Sequence, residues 1–152
     1  MEKTDCYTYF KITGDFKSED ITKRLNIQPF KTFEKGELRK NKKRTLESRY
    51  TFSLWQTQEC HKYHHHKYSE GEIYHDVNEQ CLIVINELKD KIDILNKIKS
   101  DYDEVNFSLV VVMQIYNGNS PGTCFNKEVI GFCHAIGCEI DVDMYVYPFE
   151  EL

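Results

Sequence analysis

The sequence predicts an α+β domain built on a largely antiparallel sheet, with helices packed on one face. Two segments carry most of this expectation. Residues 9–29, YFKITGDFKSEDITKRLNIQP, read as strand, turn and short helix, and residues 131–148, GFCHAIGCEIDVDMYVYP, read as helix, glycine stop and strand. A third observation joins them. The 152 residues contain no internal repeat and no linker long enough to divide the chain, so residues 1–152 are expected to form one domain.

Residues 6–13 alternate as a strand, with Tyr7, Tyr9 and Lys11 opposite Cys6, Thr8, Phe10 and Ile12. Gly14-Asp15 marks a turn, and Ser18 is the expected N-cap of a helix whose first turn carries Glu19 and Asp20. Ile21 and Leu25 share a face of that helix, Asn26 can end it, and Pro29 prevents its continuation. The basic stretch 31–44 is broken by Gly36 and Asn41-Lys42, which suits an edge strand or loose hairpin. SRYTFSLWQ (48–56) alternates as a strand, and the polar segment from Gln58 to His75 reads as a surface loop.

Asp76, with Glu79 three residues on, opens the longest helix. Val77, Cys81, Val84, Ile85, Leu88, Ile92, Leu95 and Ile98 form its apolar stripe, with a break expected near Lys89–Asp93. VNFSLVVVMQIY (105–116) has one fully apolar face and one mixed face, as a central strand should. NGNSPG (117–122) is a loop, Asn126 caps the last helix, and Gly137 ends it. In the closing strand Ile140, Val142, Met144 and Val146 are expected inward, with Glu139, Asp141, Asp143, Tyr145 and Tyr147 opposite. The predicted order, β-α-β-β-α-β-α-β, is similar in outline to a ferredoxin-like fold.

The bulk numbers narrow the function classes. A chain of this length can bury about two-thirds of its unfolded surface and so needs no disulfide or metal to fold. A hydrophobic content of 40% argues for a packed core. The net charge of −5 argues against general nucleic-acid binding and suits a basic partner. The basic run Lys35, Arg39, Lys40, Lys42, Lys43 and Arg44 is interleaved with Glu34 and Glu37, the pattern of a solvated hairpin tip. No stretch is apolar enough for a membrane span and no signal peptide is legible, so the cytoplasm is the expected compartment. There the six cysteines should be reduced, and no CxxC pair occurs among them.

Several local motifs together resemble the bacterial domain-of-unknown-function family 4279 (DUF4279). They are ITGDF (12–16), EDITKRLNIQP (19–29), Lys35-Gly36-Glu37, Trp55 and AIGCEIDVDMY (135–145). The resemblance runs from about Tyr7 to Tyr147 and does not include the histidine-bearing loop at 60–75. It implies a small cytosolic bacterial α+β protein and supplies no catalytic residues. Some small families of this kind act as immunity proteins beside polymorphic toxins.

Known catalytic signatures are missing: there is no P-loop, dinucleotide fingerprint, HExxH or nucleophile elbow. The expected function is therefore a non-enzymatic protein-binding domain, an immunity protein that occludes a basic toxin domain, without a cofactor. Glu139, Asp141, Asp143 and Tyr145 on the last strand, with Asp101, Asp103 and Glu104 in the acidic turn, are the candidate contacts. The alternative is a small-ligand or metal-binding module on the sheet face or the histidine loop. Cys60, His61, His64, His66 and His75 supply ligand chemistry, but their spacing matches no tetrahedral finger, so a solvated loop is the expectation. Near the last helix, Cys133 and His134 point about 100° apart and make no thiolate–imidazole pair by adjacency. Protein purified without added metal should carry no stoichiometric zinc; one zinc per chain by elemental analysis would overturn the loop reading.

Overall fold

The computed structural model describes residues 3–40, 47–62 and 75–149. Nine elements follow in order among them: β1 (Asp5–Gly14), α1 (Ser18–Leu25), β2 (Lys31–Phe33), β3 (Ser53–Gln56), α2 (Val77–Asn86), α3 (Ile92–Asp101), β4 (Asn106–Ile115), α4 (Lys127–Ile136) and β5 (Cys138–Val146). The strands form one sheet in the order β2-β3-β1-β4-β5. The first four are antiparallel neighbours, which is the ferredoxin-like arrangement. β5 is an addition, placed parallel to β4 by the α4 crossover.

All four helices share one face of the sheet. Phe10, Ile12, Trp55, Phe107, Leu109, Val111 and Met113 point from the strands into a single core with Ile21, Leu25, Val84, Ile85, Leu95, Ile98, Phe132 and Ile136 from the helices. Trp55 is fully buried, and its indole N–H donates to the Thr22 hydroxyl at 3.0 Å, tying β3 to α1. Gln80 interrupts the apolar stripe of α2 without an unpaired group. Its amide nitrogen donates to the carbonyls of Cys6 and Lys62 at 2.8 and 2.9 Å, and its oxygen accepts from the Thr8 hydroxyl at 3.1 Å.

The helical run from Asp76 is two helices, parted close to the break read from the sequence at Lys89–Asp93. The chain tightens at Leu88–Lys91, where Leu88 N–H bonds the Ile85 carbonyl and Lys91 N–H bonds that of Leu88. The break has a packing reason: α2 lies over β1 and beside α4, whereas α3 packs against α1 and α4. One straight rod of 25 residues, about 37 Å long, would carry the second half of the stripe past the sheet.

Four expectations need correction. The expected strand 48–56 bends at Thr51–Phe52; Ser53–Gln56 joins the sheet, while Arg49 bridges Leu38 as the stem of the basic hairpin. The loop expected after it begins as sheet, because Cys60 and Thr8 exchange both backbone hydrogen bonds at 2.8 and 3.1 Å. In β5, Ile140 and Val142 pack on the core, but Met144 and Val146 are 59% and 72% exposed. They point to the helix side of the sheet, beyond the reach of the described helices.

Ser18, expected as a helix cap, is the fourth. It is the first residue of α1, preceded by Lys17 at the cap position, and its side chain does not cap the helix. Instead the Glu34 carboxylate, just after β2, accepts from the Ser18 amide at 3.0 Å and from its hydroxyl at 3.1 Å. A carboxylate there also faces the positive end of the helix dipole. Burial acts to raise the Glu34 carboxyl, but the Ser18 amide, the Lys17 ammonium and the Ser18 hydroxyl outweigh it and hold the group below its ordinary value. A pKa depressed on folding contributes stability that is present above the unfolded value and lost as pH falls through the folded one. Glu34→Ala should cost about 1 kcal/mol at neutral pH in urea unfolding, as loss of a cap does. The difference from wild type should shrink below about pH 4; a difference that persists unchanged into acid would assign the residue a packing role instead.

Candidate partner-binding face

Among the described residues no helix lies on the other face of the sheet, and the strand order assembles that face from residues far apart in sequence. Strand alternation sends Tyr7, Tyr9 and Lys11 of β1 to this side, opposite the buried Thr8, Phe10 and Ile12. The β1–β4 register sets Tyr7 beside Val112 and Tyr9 beside Val110. The β4–β5 register then sets Asp143 beside Val112, Asp141 beside Val110 and Glu139 beside Ser108. Each carboxylate of β5 is thus one strand removed from an aromatic or cationic side chain of β1. Two valines of β4, Val110 and Val112, lie between, and both are buried although no described helix covers them.

The aromatic row continues beyond the strands. Tyr7 and Tyr9 stack with ring centres 6.3 Å apart, and Tyr7 stacks on the His61 imidazole at 4.7 Å. His61 lies 2.9 Å from the Glu59 carboxylate and 3.9 Å from that of Asp5. The Tyr145 hydroxyl donates to Asp143 at 2.9 Å. Partial burial raises the phenols of Tyr7 and Tyr9 above their ordinary value, and the surrounding carboxylates add to the effect. For Tyr145 the bond to Asp143 is the main cause of the rise. All three therefore stay neutral at physiological pH, as hydrogen-bond donors within an acidic surface. Such a face offers ring faces and carboxylates together, the combination that receives Lys and Arg side chains.

The candidate contacts divide into two groups. Glu139, Asp141, Asp143 and Tyr145 stand together on β5. Glu104 reaches the rim of the same face, in a shallow depression with Lys11, Thr13, Asp15, Lys35 and Asn106. Asp103 is exposed in the turn before β4. Asp101 is engaged elsewhere: its carboxylate accepts from Arg24 at 2.6 Å and from Lys97 at 2.7 Å. Arg24 also pairs with Asp20 at 3.0 Å, so Asp101 joins α1 to α3. Hydrogen bonds from Lys97 and Arg24 hold the Asp101 carboxyl below its ordinary range.

The metal candidates do not converge among the described residues, where no group of three or more His, Cys, Asp or Glu is arranged to hold an ion. Cys60 belongs to the core, whereas His61 turns to the opposite face of the sheet. The buried His75 directs Nε2 at the Thr4 carbonyl, 2.9 Å away. His64 and His66 lie outside the described residues.

Sequence reasoning placed Tyr7 and Tyr9 on one side of their strand but did not join them to β5. Asp5, Glu59 and His61 were not singled out for this face. The missing signal was the strand order, since only the insertion of β4 between β1 and β5 brings the tyrosines and the acids together.

Comparison with curated proteins and with solved structures gives no match. A family model, Domain of unknown function (DUF4279), matches residues 4–147, nearly the whole chain and across every strand and helix described above. The protein belongs to the DUF4279 family.

Proposed function

We propose that this chain is a non-enzymatic protein-binding domain of the bacterial cytoplasm, an immunity protein that neutralises a cognate toxin by covering it. The observation that carries the reading is the row Glu139, Asp141 and Asp143 on the outermost strand, set beside Tyr145, Tyr7 and Tyr9 on the face opposite the described helices. Tyrosine supplies contact area with little rotamer freedom to lose, and carboxylates give selectivity for a basic surface. β5 also ends the strand order, so a partner can approach its side as well as its face. The lack of catalytic signatures in the sequence supports a binding role.

Binding by this face would act through bulk. A toxin domain whose substrate is anionic needs a basic surface, and an acidic sheet laid over it would exclude that substrate. Association would be steered by charge and weakened by salt. Tyr145 and the β1 tyrosines would supply the apolar centre, with the carboxylates forming a rim.

Co-expression with the neighbouring reading frame is the direct test. The expected result is growth rescue and a complex that survives purification. Replacing Glu139, Asp141 and Asp143 together by Lys should weaken binding about tenfold or more. Each exposed substitution alone should change stability by less than about 0.5 kcal/mol. A neighbour that is harmless by itself, with no complex recovered, would sink the proposal.

A further inference from the structure

β5 closes the sheet on one side, and among the described residues no strand pairs with its outer edge. It runs for nine residues against β4 in unbroken register, with no bulge and no proline. The strand at the opposite end of the sheet, β2, has only three residues. Folded proteins ordinarily blunt a long edge, because its row of unpaired amides and carbonyls invites another strand.

One hydrogen bond fixes which groups face outward. The Tyr147 amide, just past the end of β5, donates to the Ile115 carbonyl at 2.9 Å. Along a strand, the amide and carbonyl of one residue point to the same side, and those of the next residue to the other. Carried back through the unbroken register, this alternation directs the backbone groups of Glu139, Asp141, Asp143 and Tyr145 at β4. Ile140, Val142, Met144 and Val146 direct theirs away from the sheet, and among the described residues no hydrogen bond reaches them.

The same parity sorts the side chains. Glu139, Asp141 and Asp143 stand on the face opposite the described helices, and Ile140, Val142, Met144 and Val146 on the helix side. Met144 and Val146 are exposed there, and Phe149 just beyond the strand is 73% exposed. The edge thus offers an acidic row on one side, an apolar row on the other, and free backbone groups between them.

We propose that the outer edge of β5 receives an extended basic segment of a partner protein as an added antiparallel strand, in which cationic side chains alternate with apolar ones. The inference rests on the reading of β5 as a partner-binding strand and supplies the manner of binding and the pattern of the partner. Lysine or arginine side chains of the added strand become cross-strand neighbours of Glu139, Asp141 and Asp143, with Cβ atoms about 5 Å apart. Its apolar side chains lie against Val142, Met144 and Val146. Backbone bonds supply affinity, and the alternation supplies specificity. A second copy of this chain does not fit. Two β5 strands joined antiparallel in one continuous sheet keep their acidic rows on the same face and set carboxylate against carboxylate, which is destabilising. The charges that reject a copy select a basic strand.

Antiparallel residues that exchange both backbone bonds lie directly opposite each other, with side chains on the same face. The outward groups of β5 belong to its apolar residues, so the bonding amides of the partner belong to its apolar residues too. The test uses the full chain and fluorescein-labelled peptides of nine residues, the length of β5, in fluorescence anisotropy at low salt. The parent peptide alternates lysine and valine. A control has the same residues with the valines contiguous, and two others are N-methylated at every valine or at every lysine. The parent should bind about tenfold or more tightly than the contiguous control. Methylation at valine should abolish that binding, and methylation at lysine should leave most of it. On saturation with the parent, hydrogen exchange at the Val142 and Met144 amides should slow, while Asp141 and Asp143 stay unchanged. Equal binding of the contiguous or valine-methylated peptide would overturn strand addition and leave the acidic row acting by charge alone, with the protein-binding reading intact. Failure of every peptide to bind would overturn the inference as well, whereas the protein-binding reading stands or falls on co-expression.

Discussion

The pairing of β1 with β4 is the constraint on which the rest of the molecule depends. Nine residue pairs, from Asp5–Gln114 to Thr13–Asn106, align the two central strands. Every later feature takes its side of the sheet from that register. Phe10 with Leu109 and Ile12 with Phe107 face the helices, while Tyr7 with Val112 and Tyr9 with Val110 face away. A slip of one residue would send the tyrosines into the core and the phenylalanines into water. The alternation of β1 is strict enough to forbid this, with fully buried residues at every second position. β3 and β5 then attach to the outer edges of this pair, and each inherits its orientation.

On the helix side the same pair is held from above by polar chemistry. Gln80 spans from β1 to the end of the extended segment after β3, joining Cys6, Thr8 and Lys62 through one amide. A leucine of similar volume would fill the space but leave the Cys6 and Lys62 carbonyls without this donor. The Cys6 carbonyl is buried, and depriving it of a donor costs about 1–3 kcal/mol. The polar residue in the apolar stripe is thus a positioning device for the strand it sits on. It also fixes the backbone at Lys62, two residues after the Cys60–Thr8 bridge.

Much of this was legible in the sequence, for identifiable reasons. Asn26, Asp76, Asn126 and Gly137 end or begin helices through local chemistry, and each does so in the structure. The alternation of residues 6–13 and 105–116 is local too, and both strands are present. What escaped reading depends on distant partners. Ser18 looked like its own helix cap because Glu34 cannot be seen to approach it from the sequence. Met144 and Val146 looked buried because alternation gives a direction, whereas coverage depends on how far α4 extends over the strand. The candidate face was half legible: Glu139, Asp141 and Asp143 share a side by spacing alone, but their meeting with Tyr7 and Tyr9 follows from strand order. Asp101 was grouped with Asp103 and Glu104 by adjacency, and its ion pairs draw it toward α1.

The carboxylate of Glu34 also bears on how the chain assembles. α1 has only eight residues and its first amide is satisfied by a side chain from beyond β2. A helix that short is marginal in isolation, since nucleation is costly and few hydrogen bonds offset it. Its start is completed only when Lys31–Phe33 has returned alongside β3 and delivered Glu34. Local helix formation and non-local strand pairing therefore become one cooperative event at this corner. The native start of the helix nearest the beginning of the chain is therefore tied to the strand that follows it.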